Sequence, residues 1–261
     1  MKYAHLIIGL LAGTALGGSV VAATGASMGA AGASSLDKEA VKQIVRDVLA
    51  DEPKLIIESV QKFQADQQKS QLATANEALK DEATRDLVFK NPDSAFVGPA
   101  DSKRVVVEFF DYNCGACKMM FKSIEQLVQK DPSVKVILRE YPIFGPVSDT
   151  NSKLGLAVNR LYPEKYFEFH TRMLTVEGRV DEKTVLTIAK DLGLDTAKIK
   201  AESEKKEVWD IVLENRKLGD KLHIQGTPTL VIGDEIVPHG MSFEDLEAKV
   251  NANTGPAPKV N

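Results

Sequence analysis

The sequence lacks the features that mark several common protein classes. It has two cysteines in 261 residues, so it is not a small scaffold held by many disulfides. It has no block of lysine and arginine, and its net charge of −4 offers no clustered cations to nucleic acid phosphates. Its apolar fraction of 43% is ordinary for a globular chain, which excludes disorder as the main state. The length fits one large domain with an appendage, or two small domains.

The chain also lacks an apolar run long enough to span a membrane. Lys2 precedes the apolar run Leu6–Leu11, and mostly small residues follow, with a cleavage pattern at 21–23. This run is too short and too rich in glycine for a stable span. The pattern predicts a cleaved signal peptide over residues 1–23 and a flexible linker over residues 24–35. We therefore expect export to the periplasm, where disulfides persist.

Residues 36–90 have the apolar spacing of amphipathic helices, with few aromatic residues. Pro53 interrupts the first apolar stripe and suits the start of a second helix. A segment of this length is too short to form a core of its own. Its stripe either packs on the following domain or pairs with the same segment of another subunit. We favour self-association as a dimer or trimer, because the segment is long and precedes the domain.

The remaining sequence predicts an α/β domain over residues 91–253. The run Val105–Phe110 is typical of a buried strand, Cys114–Lys130 of a helix and Val134–Arg139 of a second strand, which together make a right-handed βαβ unit. The stretch from about 148 to 222 has helical periodicity throughout.

Two short strands, Thr229–Ile232 and Glu235–Val237, follow this helical stretch. Gly233 and Asp234 fit the two-residue turn of a hairpin between them. Ser242 is a predicted cap of a last helix. The tail over residues 254–261 is expected to be unstructured. The sequence thus predicts a small mixed sheet with a helical insertion between its two halves.

The two cysteines lie where a strand meets a helix. The N–H groups of a helix N-terminus stabilise an anion, so the pKa of the Cys114 thiol should fall. Cys117 is close enough to Cys114 to form a disulfide and falls on the buried face of the helix. We expect an exposed attacking sulfur on Cys114 and a shielded resolving sulfur on Cys117, as exchange through a mixed disulfide requires.

Three other interpretations of the Cys114 and Cys117 pair compete with redox exchange. A zinc site would need ligands beyond the two cysteines, and the only histidines after the signal segment are His170, His223 and His239. A purely structural disulfide would close a very short loop and constrain the unfolded chain little. A pair of buried free thiols does not suit an oxidising compartment. Redox exchange is the favoured interpretation.

Two further positions bear on this chemistry. Glu108 interrupts the apolar strand before the cysteines. It is either buried, with a raised pKa that lets it exchange a proton with the resolving thiol, or it faces solvent at a sheet edge. Pro228 precedes the late strand, where its missing N–H is tolerated. Base rates alone favour a trans bond between Thr227 and Pro228.

The order FFDYNCGAC, a helical insertion and a distant GTPT resembles the thioredoxin superfamily, in its DsbA-like branch of secreted thiol–disulfide oxidoreductases. The extension and the stretch Tyr141–Gly145 look more like the oligomeric ScsC-type and Com-type members. The resemblance implies a thioredoxin fold with a helical insertion, preceded by an amphipathic helical extension. It covers residues 90–252 well and residues 36–90 in type only.

The resemblance also implies roles for individual residues. Cys114 would be the nucleophile and Cys117 the resolving thiol, with Glu108 at the position of a buried acid. Pro228 would be cis, and Thr227 would offer backbone groups to an extended substrate. Relatives often carry His or Tyr before the second cysteine. With Gly115 and Ala116 between the cysteines here, we expect a less depressed thiol pKa and a less oxidising disulfide.

The sequence therefore predicts a periplasmic thiol–disulfide oxidoreductase without cofactor or metal, acting as isomerase or oxidase. Folding secreted proteins would be its substrates and a membrane protein its redox partner, with no nucleic acid bound. One alternative is a redox-inert chaperone or a copper carrier that uses both cysteines as soft ligands. Another is a scaffold in which the helical extension is the working part.

Overall fold

The computed structural model describes residues 37–254, so the predicted signal peptide, the linker and nearly all of the predicted tail lie outside the described residues. The chain divides into two units, Met1–Ile57 and Glu58–Asn261. Among the described residues, no helix is long and apolar enough to cross a membrane.

Five strands form one sheet in the spatial order β1-β3-β2-β4-β5. Strands β2 and β3 pair in parallel, and the other neighbouring strands pair antiparallel. The strands are β1 (Ala95–Val97), β2 (Arg104–Phe110), β3 (Val134–Glu140), β4 (Thr229–Ile232) and β5 (Glu235–Val237).

Ten helices occur in the described part of the chain. Three precede the sheet, one joins β2 to β3, five form the insertion between β3 and β4, and one closes the fold. They are α1 (Lys38–Asp51), α2 (Lys54–Ala78), α3 (Glu82–Phe89), α4 (Gly115–Lys130), α5 (Pro146–Leu161), α6 (Pro163–Thr175), α7 (Glu182–Asp191), α8 (Thr196–Ser203), α9 (Lys206–Lys221) and α10 (Phe243–Thr254). The predicted strand–helix–strand unit, the helical insertion and the late hairpin are all present.

Local signals explain several boundaries. The side chain of Asp181 accepts a hydrogen bond from the Thr184 N–H at the start of α7, and Gly193 follows this helix with a φ of 75°. Ser242 Oγ accepts from the Asp245 N–H at 3.1 Å before α10. Gly233 has a φ of 60° in the turn between β4 and β5, a conformation that favours glycine.

Both faces of the sheet are covered. On one face Val106 and Phe110 of β2 share a core with α4, α6 and α10. On the other face Val107 and Phe109 pack in a cluster with residues from α2, α3 and α9, namely Ala75, Leu79, Val88, Leu218 and Leu222. Because side chains alternate along a strand, even-numbered positions of β2 face α4 and odd-numbered positions face away from it.

This packing corrects the predicted extension. Ala75, Leu79 and Val88 are fully buried in the cluster behind the sheet. The last part of the segment 36–90 therefore belongs structurally with the sheet, and a free extension would end before residue 72. For this part, the alternative of packing on the following domain describes Ala75, Leu79 and Val88, whereas Leu87 is 52% exposed.

The apolar residues nearer the N-terminus have a different environment. None of the residues in α1 is buried. Large apolar side chains in α1 and the first half of α2 are 41% to 64% exposed: Val41, Ile44, Val45, Val48, Leu49, Leu55, Ile56, Ile57, Val60 and Phe63. Exposed apolar side chains that recur along a helix are typical of interaction sites in soluble proteins.

Candidate active site

Cys114 occupies the N-cap of α4, so the first turn of this helix begins at the nucleophile predicted from the sequence. Its Sγ lies 3.2 Å from the carbonyl oxygen of Thr227. The peptide bond between Thr227 and Pro228 is cis, as the family resemblance implies. The structure thus brings together the two motifs that lie over a hundred residues apart in the sequence.

Cys114 is more buried than expected. It is only 5% exposed and Cys117 is fully buried, and both are free thiols. The prediction of an exposed attacking sulfur is therefore wrong in degree, because the loop that carries Thr227 covers Cys114. The predicted shielding of Cys117 is present, since Cys117 faces the core between α4 and the sheet.

The two sulfurs have opposite acidities. The pKa of Cys114 is lowered to about 5, first by a hydrogen bond from the Cys117 thiol and then by the Thr227 side chain and the backbone N–H groups of Cys117 and Ala116. Burial raises the pKa of Cys117, and the contact with Cys114 and the charge of Glu108 raise it further. One sulfur is therefore ionised at neutral pH while the other keeps its proton.

The helix N-terminus contributes less than the sequence argument assigned to it. Its backbone N–H groups lower the pKa of Cys114, but the largest cause is the neighbouring thiol. Ala116 contributes its N–H and no charge. Whether this pKa is less depressed than in relatives with histidine at that position stays a prediction.

Glu108 is fully buried in β2, the central strand of the sheet. The alternative of a solvent-facing glutamate at a sheet edge is therefore wrong. As an even-numbered residue of β2, it lies on the face covered by α4, which carries Cys117. Burial raises the pKa of Glu108 to about 8, and the charge of Cys114 adds to this effect. Neither carboxyl oxygen has a hydrogen-bond partner within the described structure.

This burial leads to a stability prediction. The pKa of Glu108 is higher in the folded state, so its contribution to stability is complete below pH 4.5 and is lost as the pH rises through 8. In Glu108→Gln, the free energy of unfolding relative to wild type should rise by a few kcal/mol between pH 5 and pH 9. Urea unfolding at both pH values measures it, with Glu244→Gln at an exposed position of α10 as control. A pH-independent difference would contradict the assignment.

Three residues of the site were not identified from the sequence. Asp111 is buried directly before the cysteine turn. The side chain of Asn113 donates to the carbonyl oxygen of Val180 at 3.1 Å and accepts from the Val180 N–H at 2.8 Å. Lys118 Nζ donates to the carbonyl oxygen of Val176 at 2.8 Å. The Asp-x-Asn pattern before Cys114 is typical of side chains that bond nearby backbone, and it was the available signal.

The cysteines and histidines considered as metal ligands do not form a metal site in the described residues. Across residues 37–254, no group of three or more His, Cys, Asp or Glu side chains is placed to hold a metal ion. Of the three histidines considered as ligands, His170 is fully buried and its pKa is lowered to about 3 by burial. His239 is exposed and its Nδ1 lies 2.9 Å from the Gly240 carbonyl oxygen.

Comparisons with known proteins agree with this geometry. The family described as Thioredoxin matches residues 90–252, and the N-terminal domain of the copper resistance protein ScsC matches residues 37–69. Disulfide bond formation protein D of Bacillus subtilis (strain 168) is 26% identical over 164 residues, which cover 59% of this chain and 74% of that protein.

Two solved structures are similar over most of the described chain. The catalytic domain of Proteus mirabilis ScsC has a TM-score of 0.62 and 29% identity, covering 69% of this chain and 98% of that one. The thiol–disulfide exchange protein α-DsbA2 of Wolbachia pipientis has a TM-score of 0.64 and 29% identity, covering 70% and 97%. The chain therefore belongs to the thioredoxin superfamily, as a DsbA-like oxidoreductase related to ScsC whose chemistry is thiol–disulfide exchange.

Proposed function

We propose that this protein exchanges disulfides in folding secreted proteins of the periplasm, as an isomerase or an oxidase. The observation that carries the proposal is the asymmetry of the two contacting sulfurs. Cys114 has a pKa of about 5, whereas the pKa of Cys117 is raised by burial. The Cys114 thiolate attacks a substrate disulfide, forms a mixed disulfide and expels one substrate sulfur as a thiolate.

Two routes lead from this mixed disulfide. In isomerisation, another substrate thiolate attacks the substrate sulfur bound to Cys114 and releases the Cys114 thiolate unchanged. In the second route, Cys117 loses its proton and attacks the Cys114 sulfur. The enzyme disulfide forms, the bond between Cys114 and the substrate sulfur breaks, and the substrate leaves as a thiolate. Oxidation of a substrate dithiol is the reverse of this second route, with the enzyme disulfide as the oxidant. A membrane protein would then restore that disulfide.

Glu108 is the proposed proton carrier for Cys117. Its pKa of about 8 keeps it protonated at neutral pH, and its charge acts on Cys117, so the two groups are electrostatically coupled. When Cys117 leaves as a thiolate, protonated Glu108 donates a proton to it. When Cys117 attacks, the ionised form of Glu108 accepts the proton, and this form becomes more populated in the mixed disulfide because Cys114 then carries no charge. A buried carboxyl group without a hydrogen-bond partner suits this exchange.

Substrate would bind beside the cis bond. The carbonyl oxygen of Thr227 lies 3.2 Å from Cys114 Sγ, so its backbone lies within reach of a sulfur attached to Cys114. An extended substrate segment would pair with Thr227 and pack on Pro228. Gly115 and Ala116 separate the two cysteines, and the N–H of Ala116 is one of the groups that tune the nucleophile.

Self-association through the N-terminal helices completes the proposal. The apolar side chains of α1 are exposed, and this region matches the N-terminal domain of ScsC. Pairing the segment between copies would remove its apolar surface from water. A dimer or trimer would then place several Cys114 sites around one client. The proposed interface comprises exposed residues up to Phe63, because residues from 72 onward pack on the sheet.

This interface can be disrupted without shortening the chain. The triple variant Val41→Gln, Val45→Gln and Val48→Gln removes three exposed apolar residues from one side of α1. We expect sedimentation to show conversion of the oligomer to a monomer. Lys42→Gln with Arg46→Gln on the same helix is the control and should keep the wild-type mass. A monomeric wild-type protein would contradict the proposal.

Refolding of ribonuclease tests the activity. With scrambled ribonuclease, an isomerase restores enzyme activity, whereas with reduced ribonuclease an oxidase does so. The α1 triple variant should lose activity on the scrambled substrate and keep exchange with glutathione disulfide. Wild-type protein that exchanges with neither substrate would overturn the proposed function.

A second candidate is favoured by one observation, the match to the N-terminal domain of a protein described as conferring copper resistance. Cys114 and Cys117 would then be soft ligands for Cu(I). Tight stoichiometric binding of Cu(I), with no turnover in the ribonuclease assays, would support this candidate over disulfide exchange.

A further inference from the structure

Asp111 is a buried carboxylate at the end of β2 that none of the proposed chemical steps uses. It is 1% exposed, and four groups donate hydrogen bonds to it. Oδ1 accepts from the Asn113 N–H at 2.7 Å and from Ser148 Oγ at 2.8 Å. Oδ2 accepts from the Ile143 N–H at 2.7 Å and from the Phe144 N–H at 3.3 Å. The carboxylate therefore joins the turn before Cys114 to the loop after β3 and to the start of α5.

The main chain of Asp111 contacts both cysteines. Its carbonyl oxygen accepts from the Cys114 N–H at 3.0 Å. Its backbone N–H acts on Cys117 and lowers the pKa of that thiol. Asp111 thus bonds to Cys114 through its main chain and to two neighbouring segments through its side chain.

No basic side chain lies within 4.0 Å of the Asp111 carboxylate in the described part of the chain, unlike Asp131, which pairs with Arg104 at 2.9 Å. Fixed N–H and O–H groups hold it instead, and such hydrogen bonds to a charged acceptor are strong and directional. Because these donors come from three separate segments, moving the carboxylate would release all of them together.

We propose that Asp111 is a positioning residue for disulfide exchange, whose carboxylate fixes the turn bearing Cys114 and Cys117 against the loop after β3 and the start of α5. This inference rests on the proposed function. The pKa of Cys114 depends on hydrogen bonds from the Cys117 thiol and from the N–H groups of Cys117 and Ala116, and such bonds weaken steeply as distances and angles change. Loosening the turn would weaken several of them at once.

The sign of the effect separates positioning from simple electrostatics. Removing a negative charge near Cys114 would by itself favour the thiolate and lower the thiol pKa. Loss of positioning weakens the hydrogen bonds to the thiolate and raises it. In Asp111→Asn, the side-chain amide N–H group would also face hydrogen-bond donors. These are either the backbone N–H groups of Ile143 and Phe144, or the Asn113 N–H and the Ser148 hydroxyl. The variant therefore loses acceptors as well as charge.

The test uses the full chain and the pH profile of Cys114 alkylation. In Asp111→Asn we expect the apparent pKa of Cys114 to rise by about one pH unit, which is about a tenfold loss of thiolate well below the pKa. The matched control is Asp131→Asn, which alters a buried aspartate at the other end of α4. It should lower thermal stability and leave the Cys114 profile unchanged. An unchanged or lowered Cys114 pKa in Asp111→Asn would overturn the inference.

Two variants that each remove a single hydroxyl group provide the test if Asp111→Asn does not fold. Ser148→Ala removes one donor to Asp111, whereas Ser152→Ala removes a donor to Glu140 one turn later in α5. Only Ser148→Ala should raise the Cys114 pKa, and equal profiles in the two variants would overturn the inference. Failure of this inference can be distinguished from failure of the proposed function. The proposed function fails if the wild-type protein has a depressed Cys114 pKa but exchanges disulfides with no substrate.

Discussion

Replacing Cys114 by serine is expected to reduce disulfide exchange by about a thousandfold or more, because a hydroxyl does not replace the thiolate as nucleophile or as partner in a mixed disulfide. Cys117→Ser should behave differently. Cys114 still attacks the substrate, but no second thiol releases it, so mixed disulfides with client proteins accumulate. Non-reducing electrophoresis after mixing with a disulfide-bonded peptide measures both effects.

A third variant separates the two roles of Cys117. The hydroxyl of Cys117→Ser can still donate a hydrogen bond to Cys114, whereas Cys117→Ala has no donor. Since the Cys117 thiol is the largest cause of the low Cys114 pKa, that pKa should rise more in the alanine variant. Exchange retained in Cys114→Ser would refute the assignment of the nucleophile, and equal pKa values in the two Cys117 variants would refute its tuning by Cys117.

The second large expected effect concerns the rate of Cys114 alkylation as a function of pH. With a pKa of about 5, half of Cys114 is ionised at pH 5, whereas a thiol with the ordinary pKa of 9.0 is ionised to about one part in ten thousand. A thiolate of low pKa is intrinsically less nucleophilic, and the usual dependence removes roughly two of these four orders of magnitude. About a hundredfold advantage over an unstructured thiol should therefore remain at pH 5.

This experiment is best done on Cys117→Ser, in which Cys114 is the only cysteine of the chain. The shape of the profile matters more than the absolute rate, because the small exposed fraction of Cys114 slows alkylation at every pH. The rate should level off above pH 6 to 7 even after the lost thiol contact. A rate that keeps increasing up to pH 9 would show an ordinary thiol and remove the basis of the proposed enzyme.

The sequence was sufficient for most of the catalytic domain. Helical spacing in the insertion, the strand–helix–strand unit around the cysteines and the Gly233–Asp234 turn are local signals, and each lies where it was expected. The cysteine pair at a strand–helix junction predicted the chemistry, since a thiol at a helix start is a favoured nucleophile and a second thiol three residues on can resolve the mixed disulfide. The distant Pro228 was connected to them only by family resemblance.

Glu108 shows where pattern reasoning stops. Apart from Arg104 at its start, the other residues of β2 are apolar, because that strand is covered on both faces. An alternating pattern would have shown which face each residue takes, but a continuous apolar run gives no such information. The face toward Cys117 follows only from the packing of α4 on the sheet.

Residues 72–89 show the same limit at the level of domains. Their apolar spacing resembles that of α1, yet Ala75, Leu79 and Val88 are buried behind the sheet, whereas the apolar residues of α1 are exposed. Asp111 is a third case, since its hydrogen-bond donors come from three segments, and the farthest donor, Ser148, lies 37 positions from it along the chain.

Local residue spacing thus determined the helices and the strands and predicted Cys114 as the reacting sulfur, because those depend on neighbours a few positions away. The burial of Cys114 under Thr227, the protonation of Glu108 and the hydrogen bonds around Asp111 were decided by the folded structure alone. Each depends on which distant segments exclude water from a charged group or donate hydrogen bonds to it, and those segments meet only when the sheet is assembled.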